Sequence, residues 1–187
     1  GHLYNDNFTD NGTSRVSAHG QPQLQDNFSI SMWVNPDEAM PQFSSMLSSG
    51  RAVSNDVAGG WEKKFQIDIY NNDNLTDPKF RFRTMWGNSK ETIQDTENVV
   101  MHKWYHLTAV KYDNGTAAFY KNGRLIGTEN LFHTDWFMLR LGINRLSNLL
   151  WKGYIDEVKV YGKSLDETQI CNLYKNDGPN NTGATCP

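Results

Sequence analysis

The stretch Trp104 to Thr128, WYHLTAVKYDNGTAAFYKNGRLIGT, sets the tightest limit on what this chain can fold into. It holds two Asn-Gly steps, Asn114-Gly115 and Asn122-Gly123, and Asn-Gly readily takes the positive φ angles that two-residue hairpin turns require. The spacing predicts three antiparallel strands: one running up to Asp113, one over Thr116–Tyr120, and one beginning at Arg124–Gly127. A meander of this kind is not stable alone in water. The rest of the chain must supply a second layer to bury its apolar side.

Alternating segments elsewhere can supply that layer. Phe28–Val34 places Phe28, Ile30, Met32 and Val34 on one face and Ser29, Ser31 and Trp33 on the other, and Pro36 ends it. Ser44–Ser49 reads as a short strand closed by Gly50, and Arg51–Gly60 as a polar loop. Phe65–Tyr70 turns Phe65, Ile67 and Ile69 inward and Gln66, Asp68 and Tyr70 outward. Phe80–Trp86 repeats the pattern and sets Arg81 and Arg83 away from the core, while Gly87–Asn98 reads as a polar connection. Phe137–Gly142 and Trp151–Tyr161 are the closing strands, and residues 1–20 hold an edge strand and a loop. One helix is expected, with Ser164 as N-cap, Glu167 three residues later, and Leu165, Ile170 and Leu173 packing down.

Composition bounds what such a sandwich can do. At 187 residues one all-β domain is expected, and the 12% aromatic content favours strands. A net charge of −3 argues against nucleic acid, whose binders carry a basic face. No apolar run is long enough to insert in a membrane, and no signal peptide opens the chain, so a mature or excised module is expected. The two cysteines, Cys171 and Cys186, flank a Gly/Pro/Asn-rich tail that closes easily. A disulfide pinning that tail, and hence an oxidising, secreted setting, is the expectation; two free thiols are the alternative.

Three stretches in order resemble one family. Phe28 to Pro36, Trp104 through Gly127, and Gly153 through Ile170 are similar to the strand motifs of laminin-G-like, concanavalin A-like jelly-roll domains. The resemblance implies an all-β, two-sheet antiparallel sandwich with one short C-terminal helix over residues 1–175, and a tail over 176–187. Members of that family include lectins, adhesion modules, carbohydrate-binding modules, hydrolases and lyases, so function has to be read from the site.

Glycoside hydrolysis needs two carboxyl groups flanking the scissile bond. Here Asp68 stands between Gln66 and Tyr70, so the paired carboxylates of the catalytic relatives are missing and no enzyme is expected. His106 reads as a sheet or core position. Trp33, Trp104 and Trp151 are expected to fill the core. A sugar site without catalysis needs aromatic faces and a few orienting polar groups. Asp68, Tyr70, Arg81 and Arg83 on two adjacent strands, with Trp61, Trp86, His133 and Trp136 at a loop rim, are the candidate ligand-binding residues. The arginines suit a carboxylate or sulfate of an acidic polysaccharide; the plainer alternative is a pair of solvated side chains balanced by Asp68 or Glu62.

The broken alternation at Ile155, Val158 and Val160 predicts a bulge beside Asp156. Relatives hold a structural Ca2+ with an aspartate from this last strand, so the resemblance implies Asp156 as a ligand, with the Asp6, Asp10 and Asn11 segment, Asp10 foremost, as a source of others. The alternative partners for Asp156 are Lys152 or backbone N–H groups. Together these features point to a secreted, monomeric carbohydrate-binding module within a larger polysaccharide-degrading or cell-surface protein, with a protein-binding adhesion or spacer domain as the second possibility and a lyase or hydrolase as the third.

Overall fold

The computed structural model describes residues 16–19, 27–41, 43–49, 63–71, 75–86, 89–131, 138–143, 149–178 and 185–186, with backbone alone at 16–19, 63–64, 85–86, 89 and 138. The strands are β1 (Val16–His19), β2 (Phe28–Pro36), β3 (Ser44–Ser49), β4 (Lys63–Tyr70), β5 (Lys79–Trp86), β6 (Ser89–Gln94), β7 (Tyr105–Lys111), β8 (Thr116–Lys121), β9 (Arg124–Asn130), β10 (Met138–Leu141) and β11 (Gly153–Tyr161), followed by helix α1 (Glu167–Asn176). They form a six-stranded sheet ordered β1-β10-β3-β4-β5-β6 and a five-stranded sheet ordered β11-β2-β7-β8-β9. Every pairing is antiparallel, giving the expected jelly-roll sandwich.

Alternation explains the core. Phe28, Ile30, Met32 and Val34 of β2 meet Phe65, Ile67 and Ile69 of β4, Phe80 and Phe82 of β5, and Phe119 of β8 in one buried cluster. Fully burying a side chain of this size contributes about 1.5–3 kcal/mol, whereas a typical surface ion pair gives under about 1 kcal/mol. The apolar rows therefore hold the sheets together. At one end β9 approaches β6, and a Cβ on Gly127 would lie 3.3 Å from Ile93 Cγ2. There Lys121 bridges Asp95 and, at 2.7 Å, Glu97, which also pairs with Arg124 at 2.9 Å.

Both hairpin turns form as the Asn-Gly steps predict. Asn122 and Gly123 adopt φ of 53° and 76°, the paired positive values of a type I′ turn. At the other turn Gly115 takes φ 92°, and Asn114 Oδ1 accepts the Thr116 N–H at 2.9 Å. The bulge near Asp156 is also present: the β11–β2 register shifts between Asp156 and Lys159, and Glu157 sits at φ 49°. That places Ile155 and Val158 against the core.

Four expectations need correction. The connection after Gly87 contains β6, an edge strand paired with β5 from Arg81↔Gln94 to Trp86↔Ser89. An edge strand burying only Ile93 and half-burying Glu91 leaves almost no apolar period to read. Helix α1 is capped by Asp166, not Ser164: Asp166 Oδ1 accepts the Gln169 N–H at 2.8 Å, and Gln169 Oε1 accepts the Asp166 N–H at 3.1 Å. Ser164 is held outside the helix, donating to Lys111 O at 3.1 Å, while the Leu165 N–H donates to Ser29 Oγ. Of the three tryptophans expected in the core, Trp151 is there. Trp33 is buried on the opposite face of β2, between the rings of His106 at 5.2 Å and Tyr174 at 5.7 Å, and Trp104 is half-buried beside Tyr154.

Trp33 belongs to a second layer. Leu165 and Ile170 from the helical segment pack with Val110, Ala118 and Tyr120 on the outer face of the five-stranded sheet. The Cys171–Cys186 disulfide forms, as one of the two readings predicted, and draws the tail back over Gly123, where Cys186 Sγ lies 3.1 Å from the position of an added Cβ.

Candidate functional site

The outer face of the six-stranded sheet follows from register. Ser45, Asp68, Arg81 and Gln94 lie in one row across β3, β4, β5 and β6, and Ser48, Gln66, Arg83 and Thr92 lie in the next. Asp68 is the hub. Its carboxylate accepts Arg81 Nε at 2.8 Å, Arg81 Nη2 at 3.1 Å and Gln66 Nε2 at 2.7 Å, and Arg83 Nε stands 2.9 Å away. These groups are not solvated: Asp68 is fully buried, and Arg81 and Arg83 are 7% and 5% exposed. Removing one partner of a buried pair leaves an uncompensated charge, so a cluster of this kind fixes geometry strongly.

Aromatic rings close over the guanidinium groups. Arg81 Cζ lies 5.1 Å from the ring centres of both Phe43 and Tyr70, and Arg83 Cζ lies 4.5 Å from that of Phe43. Both rings are half-buried. Phe43 adopts φ 72°, the left-handed region that a bulky side chain seldom enters. It is held there by its N–H to Ile69 O at 2.8 Å, and its carbonyl accepts Gln66 Nε2 at 3.3 Å and Ser45 Oγ at 3.1 Å. Below Tyr70, Asn71 is buried and braces the β4–β5 connection through Met40 O and the Asp77 N–H.

Of the residues singled out from the sequence, Asp68, Tyr70, Arg81 and Arg83 come together here. Trp86 is the last residue of β5, paired with Lys63 and Ser89, so it ends a strand rather than standing in a loop. Trp61, His133, Trp136 and Asp10 lie outside the described residues. Phe43 went unnoticed in the sequence because it precedes its strand and takes part in no alternation. Its one signal is its place beside Ser44, which pairs with Ile69.

His106 lies on the other sheet, 1% exposed, with Nε2 2.8 Å from Ser31 Oγ. Burial pushes its pKa down to about 4, with Asp177 opposing and Lys159 assisting. It is a neutral group of the second layer, as its reading as a sheet position implied. Asp156 is exposed on the bulge, and its Oδ1 accepts the Glu157 N–H at 2.8 Å, while Lys152 pairs with Glu38 instead. A hard oxygen donor turned outward suits Ca2+. Among the described residues no three His, Cys, Asp or Glu side chains gather around one point, so further ligands would have to come from elsewhere in the chain.

Comparison with known proteins agrees with this architecture. A laminin-G-type family model, described as the concanavalin A-like lectin/glucanases superfamily, matches residues 10–171. The adhesion G-protein coupled receptor V1 of Danio rerio is 24% identical over 160 residues, 82% of this chain, and the match spans 2% of that receptor's length. Domain 4 of AbnA, an extracellular arabinanase from Geobacillus stearothermophilus solved with arabinotriose, has a TM-score of 0.63 at 19% identity, covering 89% of this chain and 84% of that one. CBM40 of the Ruminococcus gnavus IT-sialidase, bound to α2,3-sialyllactose, has a TM-score of 0.61 at 16% identity, with 80% and 83% covered. The heptameric SAP-like pentraxin of Limulus polyphemus gives 0.62 at 16% identity, with 88% and 77% covered. At these identities the structures share the fold alone.

Proposed function

The chain belongs to the concanavalin A-like lectin/glucanases superfamily, and from that premise we propose that it is a non-catalytic carbohydrate-binding module of a secreted or cell-surface protein. The observation that carries this is the state of Asp68. It is the one carboxylate in the two central rows of the outer face, fully buried and saturated by Arg81, Arg83 and Gln66, with two half-buried rings beside it. A glycosidase needs a second carboxyl group across the bond; a lectin needs rings and fixed polar groups. The oligosaccharides bound by the arabinanase domain and the sialidase module support a glycan as ligand. Trp61, Trp86, His133 and Trp136 complete the reading as rim contacts.

The disulfide supports an extracellular setting, and no helix among the described residues is long and apolar enough to cross a membrane. Asp156 and Asp10 are proposed to hold Ca2+ in a stabilising role; an unchanged melting temperature with chelator and in Asp156→Ala would remove that assignment. The likeness to an adhesion receptor favours, as second reading, a module that docks on protein. Affinity electrophoresis through gels of neutral and acidic polysaccharides decides between them: retardation in at least one gel is expected, and free migration in all, together with a protein partner, would leave the adhesion reading.

A further inference from the structure

Resting on the carbohydrate-binding reading, we propose that Phe43 and Tyr70 form a stacking platform for a neutral sugar ring, and that Asp68, Arg81 and Arg83 position this platform without touching the ligand. Phe43 is strained at φ 72°, and a residue kept in that region must be held by its surroundings. Core packing does not account for its side chain, which is half-buried and lies over charged groups rather than in either apolar cluster. What the conformation achieves is placement: the ring is set on the guanidinium groups, on the same sheet face as Tyr70. Arg81 then lies between two rings, 5.1 Å from each centre, and acts as a spacer that fixes their separation. A cation occupies one face of a ring and leaves the other for an apolar partner, and the C–H face of a sugar is such a partner.

The same geometry selects against an acidic ligand. Reading a carboxylate or sulfate requires an accessible guanidinium fork. Arg81 spends Nε and Nη2 on Asp68, Arg83 Nε stands at the same carboxylate, and both side chains are buried. Binding by ring stacking also differs from ion pairing in its indifference to salt.

The experiment uses affinity gels containing arabinan, xylan, galactan or mixed-linkage glucan, and a second set with polygalacturonate, alginate or chondroitin sulfate, at about 0.05 and about 0.5 M NaCl. The parent is expected to be retarded by a neutral polysaccharide to a similar degree at both salt concentrations. Phe43→Gly and Tyr70→Ala should each weaken binding by about tenfold or more, and Phe43→Tyr should retain it. Glycine is at ease at this backbone conformation, so Phe43→Gly should melt at or above the parent's temperature while losing the ligand. Loss of binding together with a lower melting temperature would assign Phe43 a structural role and overturn the proposal. Binding that survives both truncations, or that is confined to acidic gels and disappears with salt, would also overturn it while leaving the carbohydrate-binding reading intact. Free migration of the parent in every gel would remove both.

Discussion

The two sheets begin from the same period-two pattern and end with opposite outer faces. On the five-stranded sheet, Ser29, Ser31, Trp33 and His106 would face water, but Leu165, Ile170 and Tyr174 lie over that side of the sheet and the disulfide ties the tail across it. Its polar groups serve packing: Ser29 anchors the entry to the helix, and Ser31 pairs with His106. On the six-stranded sheet, Asp68, Arg81 and Arg83 neutralise one another beneath two half-buried rings. The closed face adds stability; the other retains partly exposed aromatic surface. A polar residue at an outward strand position therefore says little about function until the material covering it is known.

The largest expected effect tests the open face. Asp68→Ala strands two buried guanidinium groups and should cost about 3–5 kcal/mol in denaturant unfolding, with binding lost alongside stability. A loss under about 1 kcal/mol would mean that the cluster is an ordinary surface network.

The closed face should respond without affecting ligand. Replacing Cys171 and Cys186 with serine opens a loop of sequence separation 15, for which chain entropy gives about 3 kcal/mol, while retention on glycan gels stays as in the parent. Altered retention would show that the two faces communicate.

A pH series sharpens the contrast further. The His106 pKa is lowered from 6.5 to about 4, so between those values the unfolded chain binds a proton that the folded chain refuses. Stability is complete above pH 6.5 and falls as pH drops towards 4, by up to about 3 kcal/mol. In His106→Gln this part of the slope should vanish; an unchanged profile would place the titration on other groups. The smallest effect belongs to the helix cap, where Asp166→Ala should lower stability by about 1 kcal/mol and Ser164→Ala should not act through capping, a comparison read from thermal unfolding monitored by circular dichroism.

Much of this fold was legible because alternation is a local record of burial. Phe28 to Val34 and Phe65 to Tyr70 each sort residues correctly between faces, and the Asn-Gly steps fix both turns. Strand β6 escaped because an edge strand needs little apolar surface. The N-cap was mistaken because Ser164 and Asp166 both satisfy the same three-residue spacing, and tertiary bonds to Lys111 and Ser29 decide between them. Trp33 was assigned to the core on size although its own alternation set it outward. At the site, the strand partners Asp68, Arg81 and Arg83 were readable from pairing, but their burial was not, since it depends on neighbours distant in sequence. Phe43 carries no periodic signal; only its backbone conformation and its place over Arg83 reveal it.

The bulge in β11 has a consequence for crowding. This strand ends the five-stranded sheet, and among the described residues only one side of it carries a ladder. A straight edge of nine residues would invite a strand from a neighbouring molecule to zip along it. The left-handed turn at Glu157, with Lys159 just beyond it, interrupts that invitation midway. Copies of this domain held close together, as on a shared polymer or a dense surface, would find no continuous seam along which to aggregate.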